Sequence, residues 1–154
     1  MVRSFFGGVV CNADRVDLQH VADRLAISDF LTAYARAVDT KDWDLFRSLF
    51  TDDAQIDYTS SGGIAGGVDE VATWMANTMA MFSTTQHIIT NETATIDGDT
   101  ASVQAVLFNP MVFDGSDTLS FTCGGGYDHD LVRTEHGWKS RRVVMTMTWT
   151  TMGG

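Results

Sequence analysis

The second half of this chain is divided by short turns into long β-branched stretches, and this pattern limits the possible folds most strongly. From Thr84 onward there is almost no helical periodicity. Three turn-forming sequences interrupt it, namely DGD at 97–99, DGSD at 114–117 and TEHG at 134–137. Such short breaks, rich in glycine and aspartate, are typical of β-hairpins. The pattern predicts four consecutive strands, at about 85–96, 100–113, 118–133 and 138–150.

The predicted strands are long, so the sheet must bend. Proline cannot donate a hydrogen bond to a neighbouring strand, and glycine often marks a bulge. Pro110 and the run Gly124-Gly125-Gly126 are therefore the predicted bulges.

The first half of the chain is mainly helical in pattern. Apolar residues recur at helical spacing over 14–38, with Asp14 as the predicted N-cap. Two further helices are predicted at 42–50 and 69–82, a short strand at 54–59 and a loop at 60–67. Helices first and an antiparallel meander second indicate an α+β fold. A strongly curved sheet folded over three helices would enclose a cone-shaped cavity.

Length and charge exclude several classes of protein. The 154 residues fit one domain, which we assign to 14–154, preceded by an N-terminal arm at 1–13 that could cover a pocket or a neighbouring subunit. A formal net charge of −10 argues against binding to nucleic acid or to an anionic membrane surface. No apolar run approaches the ~20 residues that span a bilayer. Cys11 and Cys123 suggest neither a disulfide framework nor a zinc site, so we expect a cytoplasmic protein.

Motifs for cofactors and metals are absent from the sequence. GGIAGG at 62–67 does not fit the dinucleotide or phosphate-loop pattern. The acidic residues Asp52, Asp53 and Asp57 match no calcium loop, and the four histidines have no metal-ligand spacing. We therefore expect no metal and no organic cofactor.

One histidine and one aspartate remain as candidates for chemistry. The first long helix ends near Asp39, where the helix dipole disfavours a carboxylate that has no partner. In strand alternation, His87 shares a face with Thr85 and Ile89. From the residues alone, His87 could be a structural hydrogen-bonding histidine or a site residue.

A family resemblance favours the site. The segment DRLAISDFLTAYARAVDTKDWDLFRSLFTDDAQIDY at 23–58 resembles the opening of the SnoaL-like branch of the nuclear transport factor 2 superfamily. The stretches TQHIITN, NPMVFDGS, GGGYDHDLVRTEHGWKSR and TWT are similar to the rest of that branch. The resemblance implies a cone-shaped α+β barrel with a deep pocket and an Asp–His dyad, carried here by Asp39 and His87. It also implies a catalytic role for Tyr34.

The resemblance implies a cofactor-independent lyase, a dehydratase or related eliminase, in which Asp39 orients His87 as a general base. The alternatives are an isomerase or cyclase that uses the same dyad, and a ligand-binding module without chemistry. A substrate-binding role is expected for five further residues: Tyr58, Asn109, Tyr127, His129 and Arg133.

The expected substrate is a hydrophobic small molecule. Six methionines indicate an apolar, adaptable pocket or core: Met75, Met79, Met81, Met111, Met145 and Met147. Val143, Met145, Met147 and Trp149 alternate along the last strand, and we expect one such face to be buried in a homo-oligomer, a dimer or trimer.

Overall fold

The computed structural model describes residues 17–116 and 118–154. Three helices come from the first half of the chain: α1 (Leu18–Asp39), α2 (Trp43–Ser48) and α3 (Val68–Met79). The strands are β1 (Phe50–Asp57), β2 (Ala65–Gly66), β3 (Phe82–Thr85), β4 (Ile88–Asp97), β5 (Thr100–Phe113), β6 (Ser120–Thr134) and β7 (Gly137–Gly153). A short 3₁₀ turn at Thr59–Ser61 lies within the segment expected to be a loop.

The strands form one strongly curled sheet in the order β2-β1-β7-β6-β5-β3, with β4 also paired to β5. All described pairs are antiparallel except β1 with β7, which is parallel, so the sheet is mixed. The helices pack against the inner face. The fold is the α+β cone that the sequence predicts.

The first helix begins slightly later than predicted. Its N-cap is Asp17, whose carboxylate accepts hydrogen bonds from the backbone N–H groups of Gln19 and His20. The predicted cap, Asp14, and the predicted arm at 1–13 lie outside the described residues.

The second helix is shorter than the predicted 42–50. Asp42 caps it by accepting a hydrogen bond from the Leu45 N–H at 2.9 Å. The helix ends at Ser48, and Phe50 already pairs with Ser140 of β7. This parallel contact, made by residues 90 positions apart in sequence, extends the strand toward the helix, and local periodicity cannot reveal it.

One of the two predicted bulges is present. The pairing of β6 with β7 shifts register between Gly124 and Gly125, as expected. Pro110 stays in register with Thr122, so the prediction of a bulge there was wrong.

The register shift corrects the prediction for the last strand. Gly125 pairs with Met147 and Gly124 with Trp149, so Thr148 is an extra residue between them. Val143 and Met145 are buried and Met147 faces the interior, whereas Trp149 is 46% exposed. The alternation expected across these four residues is broken at Thr148, and only Trp149 of the four lies on the outer face.

The core has two parts along the cone. One cluster joins the C-terminal half of α1, α2 and α3 to the sheet, and includes Val38, Phe46 and Val71. The other joins the N-terminal half of α1 to β5, β6 and β7 and includes Leu131 and Trp138. Full burial of each large apolar side chain contributes roughly 1.5–3 kcal/mol. This packing fixes the position of α1 against the sheet, and hence the position of Asp39.

Candidate functional site

A cavity of about 270 Å³ lies between the helices and the inner face of the sheet. Its aromatic wall comes from Trp74, Phe82, Phe113 and Phe121. The six methionines named from the sequence all line it: Met75, Met79, Met81, Met111, Met145 and Met147. Among the described residues, no Asp, Glu, Lys or Arg side chain belongs to the lining. The cavity therefore suits an uncharged apolar molecule.

The end of α1 is fixed by a Schellman motif, and this positions Asp39. The Asp42 N–H donates to the Ala37 carbonyl at 2.8 Å, and the Lys41 N–H donates to the Val38 carbonyl at 3.1 Å. Lys41 adopts the left-handed conformation, with φ of 57°. Its ammonium group donates to the Phe82 carbonyl at 2.8 Å and so ties the helix end to the start of β3. Asp39 is thereby held in the last turn of α1, beside the segment that joins β3 to β4.

His87 lies in that joining segment, and both its ring and its backbone N–H contact the carboxylate of Asp39. The Nδ1 atom of His87 is 2.6 Å from Oδ1 of Asp39. The backbone N–H of His87 donates to the same carboxylate, at 2.8 Å from Oδ2. The His87 side chain is 6% exposed and the Asp39 side chain 23% exposed. Both the backbone and the ring of His87 are thus fixed by one carboxylate.

This contact determines the protonation pattern of the neutral imidazole. Since a carboxylate only accepts hydrogen bonds, the ring proton lies on Nδ1 and the lone pair on Nε2. His87 lines the cavity. Nε2 is the nitrogen left to accept a proton from a bound molecule, and Asp39 would stabilise the imidazolium that results.

All three tyrosines of the sequence meet beside this pair. The hydroxyl groups of Tyr34 and Tyr58 are in direct hydrogen-bond contact, and the rings of Tyr34 and Tyr127 are 5.3 Å apart. All three line the cavity. Burial raises the pKa of each phenol well above its usual value, so the hydroxyl groups stay neutral and can donate hydrogen bonds.

Asn109 is also at the cavity, but its amide is already engaged. Its Nδ2 donates to the Gln86 carbonyl at 3.0 Å and to Oγ1 of Thr85 at 3.2 Å. The side chain is almost fully buried. The amide therefore holds the protein's own backbone next to His87.

His129 does not line this cavity. Its Nδ1 is 3.0 Å from Oγ of Ser140, and its ring packs edge-on against Phe30 and Tyr34. It is 1% exposed, and burial lowers its pKa to about 3. His129 therefore lies packed against Tyr34 and outside the lining of the cavity where a substrate-binding role was expected.

Arg133 lies outside this cavity as well, next to Asp23 of α1. Its guanidinium donates to both carboxylate oxygens of Asp23, at 2.6 and 2.8 Å, and to Oδ1 of Asp99 at 2.9 Å. It also stacks over the Trp138 ring at 4.4 Å. The Arg133 hydrogen bond lowers the pKa of Asp23. The guanidinium is committed to joining α1 to two hairpins and is not at the pocket where a substrate-binding role was expected.

Two further residues of the cavity wall, Trp74 and Cys123, were not predicted as site residues from the sequence. Trp74 forms a wall of the cavity and packs closely on Gly63: a Cβ atom at Gly63 would lie 2.7 Å from the Trp74 ring. Cys123 is buried in the core and also lines the same cavity. The run of glycines at 62–67 was the available signal, since glycine permits such close approach.

Neither a metal-binding cluster nor a membrane-spanning helix is found among the described residues. No group of three or more His, Cys, Asp or Glu side chains among them is arranged to hold a metal ion. No helix in the same part of the chain is long and apolar enough to cross a bilayer.

Comparisons with known proteins agree with this architecture. Residues 19–144 match the SnoaL-like domain. An uncharacterized protein of Mycobacterium tuberculosis is 37% identical over 137 residues, which cover 89% of this chain and 93% of that protein. A candidate aromatic ring hydroxylase from Novosphingobium aromaticivorans has a similar solved structure, with 35% identity, a TM-score of 0.78, and coverage of 87% of this chain and 94% of that one.

Two more distant structures share the fold. A hexachlorocyclohexane dehydrochlorinase superposes with a TM-score of 0.76 at 23% identity, covering 88% of this chain and 92% of that one. A candidate scytalone dehydratase from Novosphingobium aromaticivorans superposes with a TM-score of 0.77 at 19% identity, covering 86% and 88%. Three helices against a strongly curled mixed half-barrel sheet constitute the nuclear transport factor 2-like fold, and the match over 19–144 shows that this chain belongs to the SnoaL-like domain family.

Proposed function

We propose that this protein is a cofactor-independent lyase, a dehydratase or related eliminase, that acts on an uncharged hydrophobic small molecule. The observation that carries the proposal is the 2.6 Å contact between Nδ1 of His87 and Oδ1 of Asp39, with the imidazole at the wall of an apolar cavity. A histidine that is oriented by a carboxylate and has its second nitrogen available is the usual arrangement of a general base.

In the proposed reaction, Nε2 of His87 removes a proton from the carbon adjacent to the one that carries the leaving group; in a ketone substrate the same carbon is also next to the carbonyl group. The electron pair of that C–H bond forms the new double bond, and the bond to hydroxide or halide breaks. Asp39 stabilises the imidazolium. The proton on Nε2 can then be returned to the departing hydroxyl as water, or lost to solvent when halide leaves. A general base of this kind contributes typically ~10²–10⁴-fold to the rate.

The tyrosines supply the electrophilic assistance. Tyr34 and Tyr58 are in hydroxyl contact, and burial keeps both neutral. Neutral phenols in an apolar site donate hydrogen bonds to developing negative charge without themselves ionising. We assign Tyr34 to orienting or polarising the substrate, with Tyr58 and Tyr127 beside it.

The composition of the lining supports a hydrophobic substrate. Six of the eight methionines of the sequence surround the cavity together with four large aromatic side chains. Thioethers are polarizable and adapt to irregular apolar shapes. The lack of a cation in the described lining disfavours a phosphate or carboxylate substrate.

The same dyad and phenols would also support an isomerase or cyclase, because polarising a carbonyl and removing a neighbouring proton begin both reactions. The test is to incubate the protein in D₂O with hydroxylated and halogenated hydrophobic ketones and to analyse the products by mass spectrometry. Loss of water or hydrogen halide identifies a lyase. Deuterium incorporation without loss identifies an isomerase or cyclase. A compound that binds but neither exchanges nor eliminates identifies a binding module.

A further inference from the structure

Pro110 interrupts the hydrogen-bond ladder next to His87. Thr85 pairs with Met111 and Ile88 pairs with Phe108, so the register is the same on both sides of the break between β3 and β4. Gln86 therefore lies opposite Pro110, and its N–H donates to the Pro110 carbonyl at 3.1 Å. In a regular antiparallel pair the reciprocal bond would come from the N–H of residue 110. Proline has no N–H, so the Gln86 carbonyl receives no bond from the ladder.

The side chain of Asn109 supplies the missing donor. Its Nδ2 lies 3.0 Å from the Gln86 carbonyl oxygen and 3.2 Å from Oγ1 of Thr85. Because the Gln86 carbonyl can only accept a hydrogen bond, the side-chain amide of Asn109 must point its nitrogen, and not its oxygen, toward Gln86. Nδ2 is also 3.4 Å from Nδ1 of His87. That contact is not a hydrogen bond, because the His87 Nδ1 proton points to Asp39.

We propose that Asn109 is a positioning residue for His87, and that it does so by replacing the backbone donor that Pro110 lacks. The joining segment of Gln86 and His87 is then held from two sides. Asn109 binds the Gln86 carbonyl, and Asp39 binds the His87 N–H at 2.8 Å. Together they fix both ends of the Gln86–His87 peptide group, from which the imidazole projects toward the cavity.

The kinetic consequence rests on the proposed function, since only a catalytic base needs such exact placement. A displacement of ~1 Å at a reacting group can cost 10²-fold in rate. The structural part of the proposal does not depend on any activity. It states that the Gln86–His87 peptide loses an anchor when the amide of Asn109 is removed, and regains one when residue 110 has an N–H.

A rescue experiment follows from this chemistry. Asn109→Leu keeps the approximate volume and removes the donor, and Asn109→Ala is the second variant in case the leucine does not fit. Pro110→Ala restores a backbone N–H opposite Gln86. Gln104→Leu is the matched control, because Gln104 lies on the same strand and its amide binds exposed Asp128 at 2.7 Å. The double variant Asn109→Leu/Pro110→Ala completes the set.

The primary readout is hydrogen exchange of the His87 backbone amide, measured by NMR. We expect at least a ten-fold loss of protection in the Asn109 variants, recovery in the double variant and no change in Gln104→Leu. Unchanged protection in the Asn109 variants, or no recovery in the double variant, would overturn the proposal. This measurement needs no substrate, so it tests the proposal even if the protein proves to be a binding module.

The second readout is steady-state kinetics on whichever substrate the D₂O screen identifies. We expect kcat to fall ~10–100-fold in Asn109→Leu with KM changed less than three-fold, and kcat to recover in the double variant. A different result would be a rise in KM in Asn109→Leu that the double variant does not reverse, even though the double variant restores amide protection. Asn109 would then contact the substrate directly, and the positioning role would be wrong.

Discussion

The carboxylate of Asp39 binds His87 through both its ring and its backbone, with Oδ1 2.6 Å from Nδ1 and Oδ2 2.8 Å from the backbone nitrogen. The two residues are 48 positions apart in sequence. Asp39 lies at the end of α1, and His87 lies at the break between β3 and β4 on the edge of the sheet. The arrangement explains why a helix ends on an acidic residue. The carboxylate is placed where the joining segment offers two donors, and those donors compensate for its unfavourable position in the helix dipole.

Replacement of Tyr34 with Phe should lower both turnover and stability. The hydroxyl of Tyr58 would lose its partner inside the protein, which costs about 1–3 kcal/mol of unfolding free energy. Chemical denaturation and initial rates of Tyr34→Phe, Tyr58→Phe and the double variant form a double-mutant cycle. We expect the effects on stability to be non-additive. Strictly additive effects with unchanged turnover would show that the two hydroxyls act neither together nor on the substrate.

Replacement of Arg133 with Met should destabilise the protein and leave ligand binding intact. The substitution leaves the buried Asp23 carboxylate without its bidentate partner. Thermal unfolding is expected at a clearly lower temperature, with an unchanged Kd for a cavity ligand below that temperature. Loss of ligand affinity with unchanged thermal stability would instead support the substrate-binding role suggested by the sequence.

Burial of His129 should make the protein less stable in acid. Its pKa is about 3 in the folded state, against ~6.5 when exposed, so the unfolded state alone takes up a proton as the pH falls through this range. The free energy of unfolding should therefore decrease from about pH 6.5 downward, by at most ~1.4 kcal/mol per pH unit from this one group.

The His129 contribution can be isolated with His129→Asn, compared with His136→Asn on an exposed hairpin. Urea denaturation between pH 7 and pH 4 should give a shallower pH dependence for His129→Asn and the wild-type slope for His136→Asn. Equal slopes in all three proteins would show that His129 accepts a proton in the folded state.

The outer face of the sheet should be an interface with a second copy of this chain. Ile88, Phe108 and Trp149 form an apolar row across neighbouring strands, each more than 40% exposed, with Trp149 lying over Gly124. An uncharged row can meet its own copy, whereas a chain with a net charge of −10 is repelled over most of its surface.

Light scattering at micromolar concentration should give a dimer or trimer, and Trp149→Glu should give a monomer. Leu25→Glu is the control, because Leu25 is an exposed apolar residue on α1, away from the row. A monodisperse wild-type monomer would contradict the expectation. Dissociation by Leu25→Glu alone would move the interface to the helix.

Local sequence patterns predicted most of the fold because its elements are bounded by local signals. The predicted strand at 100–113 coincides with β5, since glycine and aspartate turns flank it. The pairing of His87 with Asp39 was predicted from the family resemblance, because alternation alone left open which face of the strand points inward. The single predicted strand at 85–96 is divided into β3 and β4, because Pro110 on the neighbouring strand removes a ladder bond.

The rest depended on contacts between distant parts of the chain. The pairing of Tyr34 with Tyr58 and the ion pair of Arg133 with Asp23 each join two elements that local periodicity treats separately. The position of Trp149 depended on a one-residue register shift, which moves every following side chain to the other face. Strand alternation places a residue on a face, but it cannot show whether that part of the face borders the cavity or the packed core.

The role of His87 as a base is tested most directly by measuring both turnover and ligand affinity in His87→Gln. His136→Gln is the matched control on the surface. Glutamine retains hydrogen-bonding groups but cannot act as a base at neutral pH. We predict a ~10²–10⁴-fold loss of turnover in His87→Gln, with Kd for a cavity ligand changed less than three-fold and no loss in His136→Gln. Turnover within a few-fold of the wild type in His87→Gln would contradict the assignment of His87 as the base.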